Sequence, residues 1–253
     1  MKAMIFAAGL GTRLRPLTDN CPKALIPVGG KPMLQRVIEH LKANGFDELI
    51  INIHYLGDHI RQFLSQHQNF GLRIVISDET DELLETGGGL WKARDFFDDG
   101  TPFLVCNADI LTNIDVKAML QQHQQSGAMA TLAVRNRITS RYLLFDNDDV
   151  LFGWVNNKTD EIKITRKIAP EAKMKMGLNE TYPLHEFAFS GYQILSPEIF
   201  KYQRREGKFS MIDWYLDICG SHRIQAYHHD DDIWIDIGSQ ASLDAAIQAV
   251  NSL

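Results

Sequence analysis

The stretch AAGLGTRLRPLT, Ala7 to Thr18, packs two alanines, two glycines and two arginines into one turn directly after an apolar run. Small residues let backbone N–H groups approach an anion, and the forked guanidiniums of Arg13 and Arg15 match phosphate oxygens. The loop reads as a seat for phosphate. Standing alone, a tight turn with two solvated arginines would explain it as well. It is neither of the common nucleotide motifs. A dinucleotide loop needs GxGxxG running straight into a helix, whereas Gly9 and Gly11 are followed by Leu14 in the third place and then by Pro16. A P-loop needs GxxxxGK and then Ser or Thr, and GGKP at Gly29 to Pro32 ends in proline. Lys23 follows in CPKALIPVGGKP, whose three prolines hold an extended path back over the same strand end.

Residues so placed need a scaffold, and the first half of the chain supplies one by alternation. MKAMIFAA, DELIINIHY, LRIVISDE and TPFLVCNAD are short apolar runs. Between them lie helical patterns, of which KPMLQRVIEHLKANG sets Met33, Leu34, Val37, Ile38 and Leu41 on one stripe and ends at Gly45. Strands linked by helices predict a Rossmann-like, mainly parallel sheet covered on both faces. Ligands of such sheets sit at the carboxyl ends of the strands. Three polar clusters fall there: Gly9 to Arg15, Asp78 to Gly89, and Asn107 to Asp109. The second half changes rhythm. From Tyr142 to Arg166 the short runs and turn residues predict small antiparallel hairpins, and EFAFSGYQIL, HRIQAYHH and DIWIDIG are further strands. SMIDWYLDICG and the closing SQASLDAAIQAVNSL predict helices, the last opened by Ser239 or Ser242. Pro170 to Leu184 reads as a mobile loop.

The ordered combination GxGTRxxPLT and then PKALxPVxGKP resembles the N-terminal signature of the sugar-nucleotide pyrophosphorylases, the nucleotidyltransferases that make NDP-sugars. The resemblance implies a GT-A-like nucleotidyltransferase fold over residues 1–253 as one domain, with a nucleotide-binding core at 1–135 and a sugar-phosphate-binding half at 136–253. It also implies a reaction in which the phosphate oxygen of a sugar 1-phosphate attacks the α-phosphorus of a nucleoside triphosphate and pyrophosphate leaves. Ala8, Gly9, Gly11 and Thr12 would then cradle the nucleotide phosphates, Arg13 the departing pyrophosphate, and Lys23 the α-phosphate and the incoming sugar phosphate. Asp109 and Asp236 fall where the family holds Mg2+, although a lone aspartate after a strand is more often a cap or turn residue. Asn107, two places before Asp109, excludes a DxD motif and falls with Ser190 and Gly191 at the sugar.

In the same resemblance the base is gripped by LETGGG, through Glu85, Thr86 and Gly88. As an acceptor, Glu85 suits the imide N–H of uracil or the N–H groups of guanine, so UTP is favoured. A charge at a helix N-terminus explains Glu85 equally well. This loop and FSGYQIL look most like the N-acetylmuramate 1-phosphate uridylyltransferases, cell-wall enzymes within a wider group that includes mannose- and heptose-1-phosphate guanylyltransferases. The family's glutamate-lysine-proline motif is missing, with Arg166 or Lys167 in TRKIAP as substitutes unless these are plain exposed charges. Trp154, Trp214 and Tyr192 could stack on a hexose, but such residues usually pack in cores. His228 and His229 beside three aspartates read as a solvated turn rather than a metal site.

Composition excludes other classes. A net charge of −6 argues against nucleic-acid and membrane-surface partners. No apolar stretch is long enough to cross a bilayer, and three distant cysteines without ligand spacing suit a reducing cytoplasm. A guanylyl- or cytidylyltransferase for another sugar phosphate or a phospho-alcohol is the alternative enzyme. A non-catalytic nucleotide-sugar binding protein would not need Arg13, Lys23, Asp109 and Asp236 together, and Leu14 and Pro16 weaken an NAD-dependent oxidoreductase. Oligomeric state is not written in the sequence, a homodimer being one option.

Overall fold

The computed structural model describes residues 1–165 and 184–251. In β1 (Lys2–Phe6) the residues alternate between two cores: Ala3 and Ile5 pack on one side of the sheet and Met4 on the other, all fully buried. This is why the strand reads as a continuous apolar run rather than an alternating one. The chain then turns through a two-residue ribbon, β2 (Pro27–Val28) with β3 (Lys31–Pro32), into α1 (Met33–Ala43). The predicted stripe of α1 is buried against the sheet, and each wholly buried leucine or isoleucine contributes about 1.5–3 kcal/mol.

β4 (Glu48–Ile53), α2 (Gly57–Gln66), β5 (Arg73–Asp78), α3 (Glu85–Lys92) and β6 (Phe103–Asn107) complete the alternation, and β6, β1, β4 and β5 lie side by side in parallel. A short β7 (Ile110–Thr112) and α4 (Val116–Ser126), capped by the Asp115 carboxylate on the Ala118 N–H, lead to β8 (Ala130–Arg135). β9 (Arg141–Phe145), β10 (Leu151–Asn156) and β11 (Glu161–Ile164) form the expected antiparallel hairpins.

β12 (His185–Leu195) joins the two halves by pairing antiparallel with β6, β8 and β9. Its register against β8 slips between Phe189 and Gln193, and Gly191 at that bulge has φ +79°, which glycine tolerates best. Then come α5 (Met211–Ile218), β13 (Ile224–His228) parallel to β8, β14 (Trp234–Asp236) antiparallel to β7, and α6 (Gln240–Asn251). Ser239 opens α6: its hydroxyl accepts from the Ser242 N–H at 3.3 Å while its own N–H donates to Ser242 Oγ at 3.0 Å. Residues of α1, α2, α4 and α6 fill the core on one side and residues of α3 and α5 the core on the other. The mixed, mainly parallel sheet with helices on both faces and small hairpins is the architecture the sequence predicts.

Candidate active site

The loop after β1 is held from three sides. Asn52, buried at the end of β4, accepts the Ala7 N–H at 2.8 Å and donates to Glu79 Oε1 at 2.8 Å. Thr18 donates to the Gly11 carbonyl at 2.9 Å, and Gly11 has φ +64°, where an added Cβ would sit 2.9 Å from the Thr18 methyl. Thr12 to Leu14 make a single 3-10 turn, and Leu14 is buried beneath it. Gly9 has open space where a Cβ would be.

Lys23 sits on a second 3-10 turn, Lys23–Leu25, anchored by buried Ala24. Its ammonium is ion-paired with Asp109 Oδ2 and lies 3.4 Å from Asp236 Oδ1. The two aspartates meet because β7 and β14 pair with Ile110 opposite Asp236, and the Ile237 N–H donates to the Asp109 carbonyl at 3.0 Å. Arg13 reaches this cluster over Gly238: a Cβ there would lie 2.6 Å from an Arg13 guanidinium nitrogen and 3.0 Å from Asp236 Oδ1. Lys23, Arg13, Asp109 and Asp236, named from distant segments, thus surround one point. Gly238 was not singled out, although its place two residues after the WID strand is the signal that would have found it.

A cleft of about 430 Å³ adjoins the cluster, lined by Ala8 and Gly9, by Asn52, by Glu85 and Thr86, and by Asn107, Asp109 and Arg141. The three polar clusters at the strand ends therefore do converge. Asn52 lines this cleft and was missed, since an asparagine inside an apolar strand carries no motif; its partner Glu79 falls within the polar cluster Asp78 to Gly89. Glu79 is almost fully buried; burial pushes its carboxyl pKa up, and the hydrogen bonds from Asn52 and the Leu84 N–H act the other way.

The loop expected to grip a base differs from expectation in one respect. The N–H groups of Gly87 and Gly88 both donate to the Phe209 carbonyl, at 2.9 and 3.2 Å, and Cβ atoms on them would meet Phe209 and the Gly207 carbonyl. These glycines seat α3 against residues 207–209, so their amides are occupied by the chain itself. Thr86 Oγ1 accepts the Met211 N–H at 2.9 Å. Glu85 faces the cleft, half exposed, 3.7 Å from the Lys208 ammonium.

Among the residues expected at the sugar, a Cβ on Gly191 would lie 2.8 Å from the Asn107 amide nitrogen, so the bulge in β12 and the end of β6 are in contact. Ser190 is buried, its hydroxyl 2.6 Å from His229 Nε2 and its carbonyl accepting from the Trp234 indole at 2.8 Å. His229 is likewise buried, which corrects the solvated turn expected there. His228 points the other way and pairs with Asp149 at 2.8 Å. Trp214 and Tyr192 are core residues, and Trp154 is partly exposed under the Lys163 ammonium. Arg166, Lys167 and all of the Pro170 to Leu184 loop except Leu184 lie outside the described residues. Among the described residues no group of three or more His, Cys, Asp or Glu gathers as for a metal, and no helix is long and apolar enough to cross a membrane.

Comparison with known proteins gives the family and the fold. The family model described as nucleotidyl transferase matches residues 2–252. A UTP–glucose-1-phosphate uridylyltransferase of Synechocystis is 30% identical over 267 residues, covering 100% of this chain and 64% of the relative. An N-acetylmuramate alpha-1-phosphate uridylyltransferase of Neisseria meningitidis is 32% identical over 248 residues, covering 97% of this chain and 96% of the relative. A solved structure of a putative glucose-1-phosphate thymidylyltransferase from Bacillus anthracis has the same fold, with a TM-score of 0.79 at 19% identity over 100% of this chain and 96% of that one.

Proposed function

The chain belongs to the nucleotidyl transferase family, and from that premise we propose that it joins a nucleoside triphosphate to a sugar 1-phosphate, giving an NDP-sugar and pyrophosphate. The observation that carries this reading is the bridge from Lys23 to both Asp109 and Asp236 beside a cleft lined by the loop after β1. Two anions must be brought together, so the reaction needs positioning and charge neutralisation more than a nucleophilic side chain. A phosphate oxygen of the sugar 1-phosphate forms the new bond to the α-phosphorus. The bond from that phosphorus to the bridging oxygen breaks, and its electron pair leaves on pyrophosphate.

Each residue has a task in that exchange. The backbone at Ala8, Gly9, Gly11 and Thr12 lies along the nucleotide phosphates, in a conformation that Asn52 and Thr18 fix beforehand. Lys23 neutralises the α-phosphate as the acceptor approaches, exchanging its carboxylate partners for phosphate oxygens. Arg13 holds the β- and γ-phosphates as they depart. The two carboxylates that Lys23 would release on taking phosphate oxygens suit a hard divalent cation, since Mg2+ takes one or two carboxylates and completes its shell with water and phosphate oxygens. Asp109 and Asp236 would hold that ion, which supplies further neutralisation of phosphate charge when bound.

UTP and N-acetylmuramate 1-phosphate are the substrates this reading favours. The Neisseria relative matches along nearly the full length of both chains, and Glu85 offers a base an acceptor for an imide N–H. The test is pyrophosphate release with Mg2+ across UTP, GTP, CTP, ATP and dTTP, each paired with a panel of sugar 1-phosphates. UTP with N-acetylmuramate 1-phosphate is expected to give the highest kcat/KM. A best pair containing GTP and mannose or heptose 1-phosphate would replace the substrates, and no release from any pair would remove the reaction.

A further inference from the structure

A second hollow, of about 320 Å³, opens beside Asp236 and is lined by Arg13, Arg137, Trp234, Gly238 and Ser239 among others. Arg137, in the loop after β8, belongs to no motif. Its guanidinium carbon lies over the Trp234 ring, 4.5 Å from the ring centre, a cation–π contact that helps hold the fork in place. One terminal nitrogen donates to the Phe189 carbonyl at 3.1 Å, while Nε is buried with no hydrogen-bond partner among the described residues. Buried donors are rarely left so. Neighbouring Arg135 is different: its two terminal nitrogens donate to the carbonyls of Asp232 and Asp230, so its fork is spent on the chain.

Neither Arg13 nor Arg137 forms an ion pair within 4.0 Å among the described residues. Burial pushes the Arg137 pKa down and Asp236 opposes that shift, but an arginine keeps its charge at any working pH. The hollow thus presents two guanidiniums beside one carboxylate, a net positive field that attracts phosphate groups. Arg13 comes from the loop after β1, on the nucleotide side. Arg137 comes from the half that carries Ser190 and Gly191, since its partners Phe189 and Trp234 flank that bulge. In-line displacement keeps the attacking and leaving oxygens on opposite sides of the phosphorus, which separates the tasks of the two arginines.

We propose that Arg137 binds the phosphate monoester of the acceptor, seating the sugar 1-phosphate in the hollow beside Asp236 while Arg13 holds the departing end of the triphosphate. This inference rests on the nucleotidyl-transfer reading above. Its test is the steady-state kinetics of R137A and R137K with each substrate varied in turn, together with thermal unfolding and titration of inorganic phosphate by calorimetry. Loss of a charge-assisted fork corresponds to about 10–100-fold in affinity. R137A is therefore expected to raise KM for the sugar phosphate by that factor, to change KM for the nucleotide less than about threefold, and to weaken phosphate binding. R137K should recover only part, because an ammonium lacks the fork. An unchanged sugar-phosphate KM in an active R137A, or a rise in the nucleotide KM alone, would overturn the proposal. So would a lower Tm with both KM values intact, which would make Arg137 a prop for Trp234. If R137A does not fold, R137K decides by the same readings. Wild-type protein that turns over no substrate pair would instead overturn the reaction, while Arg137-dependent phosphate binding would still uphold the site.

Discussion

Two arginines and one lysine crowd the first turns of this chain, and their surroundings separate them. Lys23 is largely buried between two carboxylates, whereas Arg15 is mostly exposed and pairs with Asp19 at 3.4 Å, a surface pair worth at most about 1 kcal/mol. K23A should lower kcat/KM by about 10²–10³, the scale of losing one charge that stabilises a transition state, and R15A by less than about threefold. Steady-state kinetics on the best substrate pair measures both. Lys23 and Arg13 were legible because they sit in ordered motifs, and Asp109 only through the resemblance that those motifs carry. Asn52 was not, because its importance lies in hydrogen bonds to Ala7 and Glu79 that only the adjacency of β1, β4 and β5 creates.

At the scale of elements, glycines that look alike in sequence do different work. An added methyl at Gly87 would strike the Phe209 ring and lie 2.9 Å from its carbonyl, while one at Gly9 meets nothing within 4 Å. G87A should therefore destabilise the protein by about 1–3 kcal/mol or more, as overpacking does. G9A should leave Tm nearly unchanged and raise KM for the nucleotide, because the methyl projects into the cleft. Thermal unfolding and kinetics on the two variants check the contrast. The strand and helix order was legible from periodicity, and the hairpins from their turn residues. The pairing of β7 with β14 was not, since three-residue strands far apart in sequence carry too little pattern to fix a register. That ladder is nevertheless what brings Asp109 to Asp236.

The molecule as a whole carries two buried histidines outside the proposed chemistry. Desolvation pushes His123 and His229 down to about 4 from 6.5. Depressed folded values mean that their contribution to stability is present above pH 6.5 and is lost as pH falls toward 4, because the unfolded chain takes up protons that the folded one refuses. Stability should fall across that window, with each of the two histidines adding up to one proton to the uptake on unfolding. An H123Q variant should show about one proton less, read from chemical denaturation at a series of pH values. The burial of His229 was misread in sequence because adjacent histidines beside aspartates look like surface; it depends on β12 bulging so that the Ser190 hydroxyl faces His229.

The most direct measurement of the central claim is the product balance of wild-type protein with Mg2+, UTP and N-acetylmuramate 1-phosphate or the best pair from the panel. One pyrophosphate for each NDP-sugar, with no release when the sugar phosphate is omitted, is the predicted result. Release of orthophosphate from the triphosphate without NDP-sugar, or no release with any pair, would contradict nucleotidyl transfer at Lys23, Asp109 and Asp236.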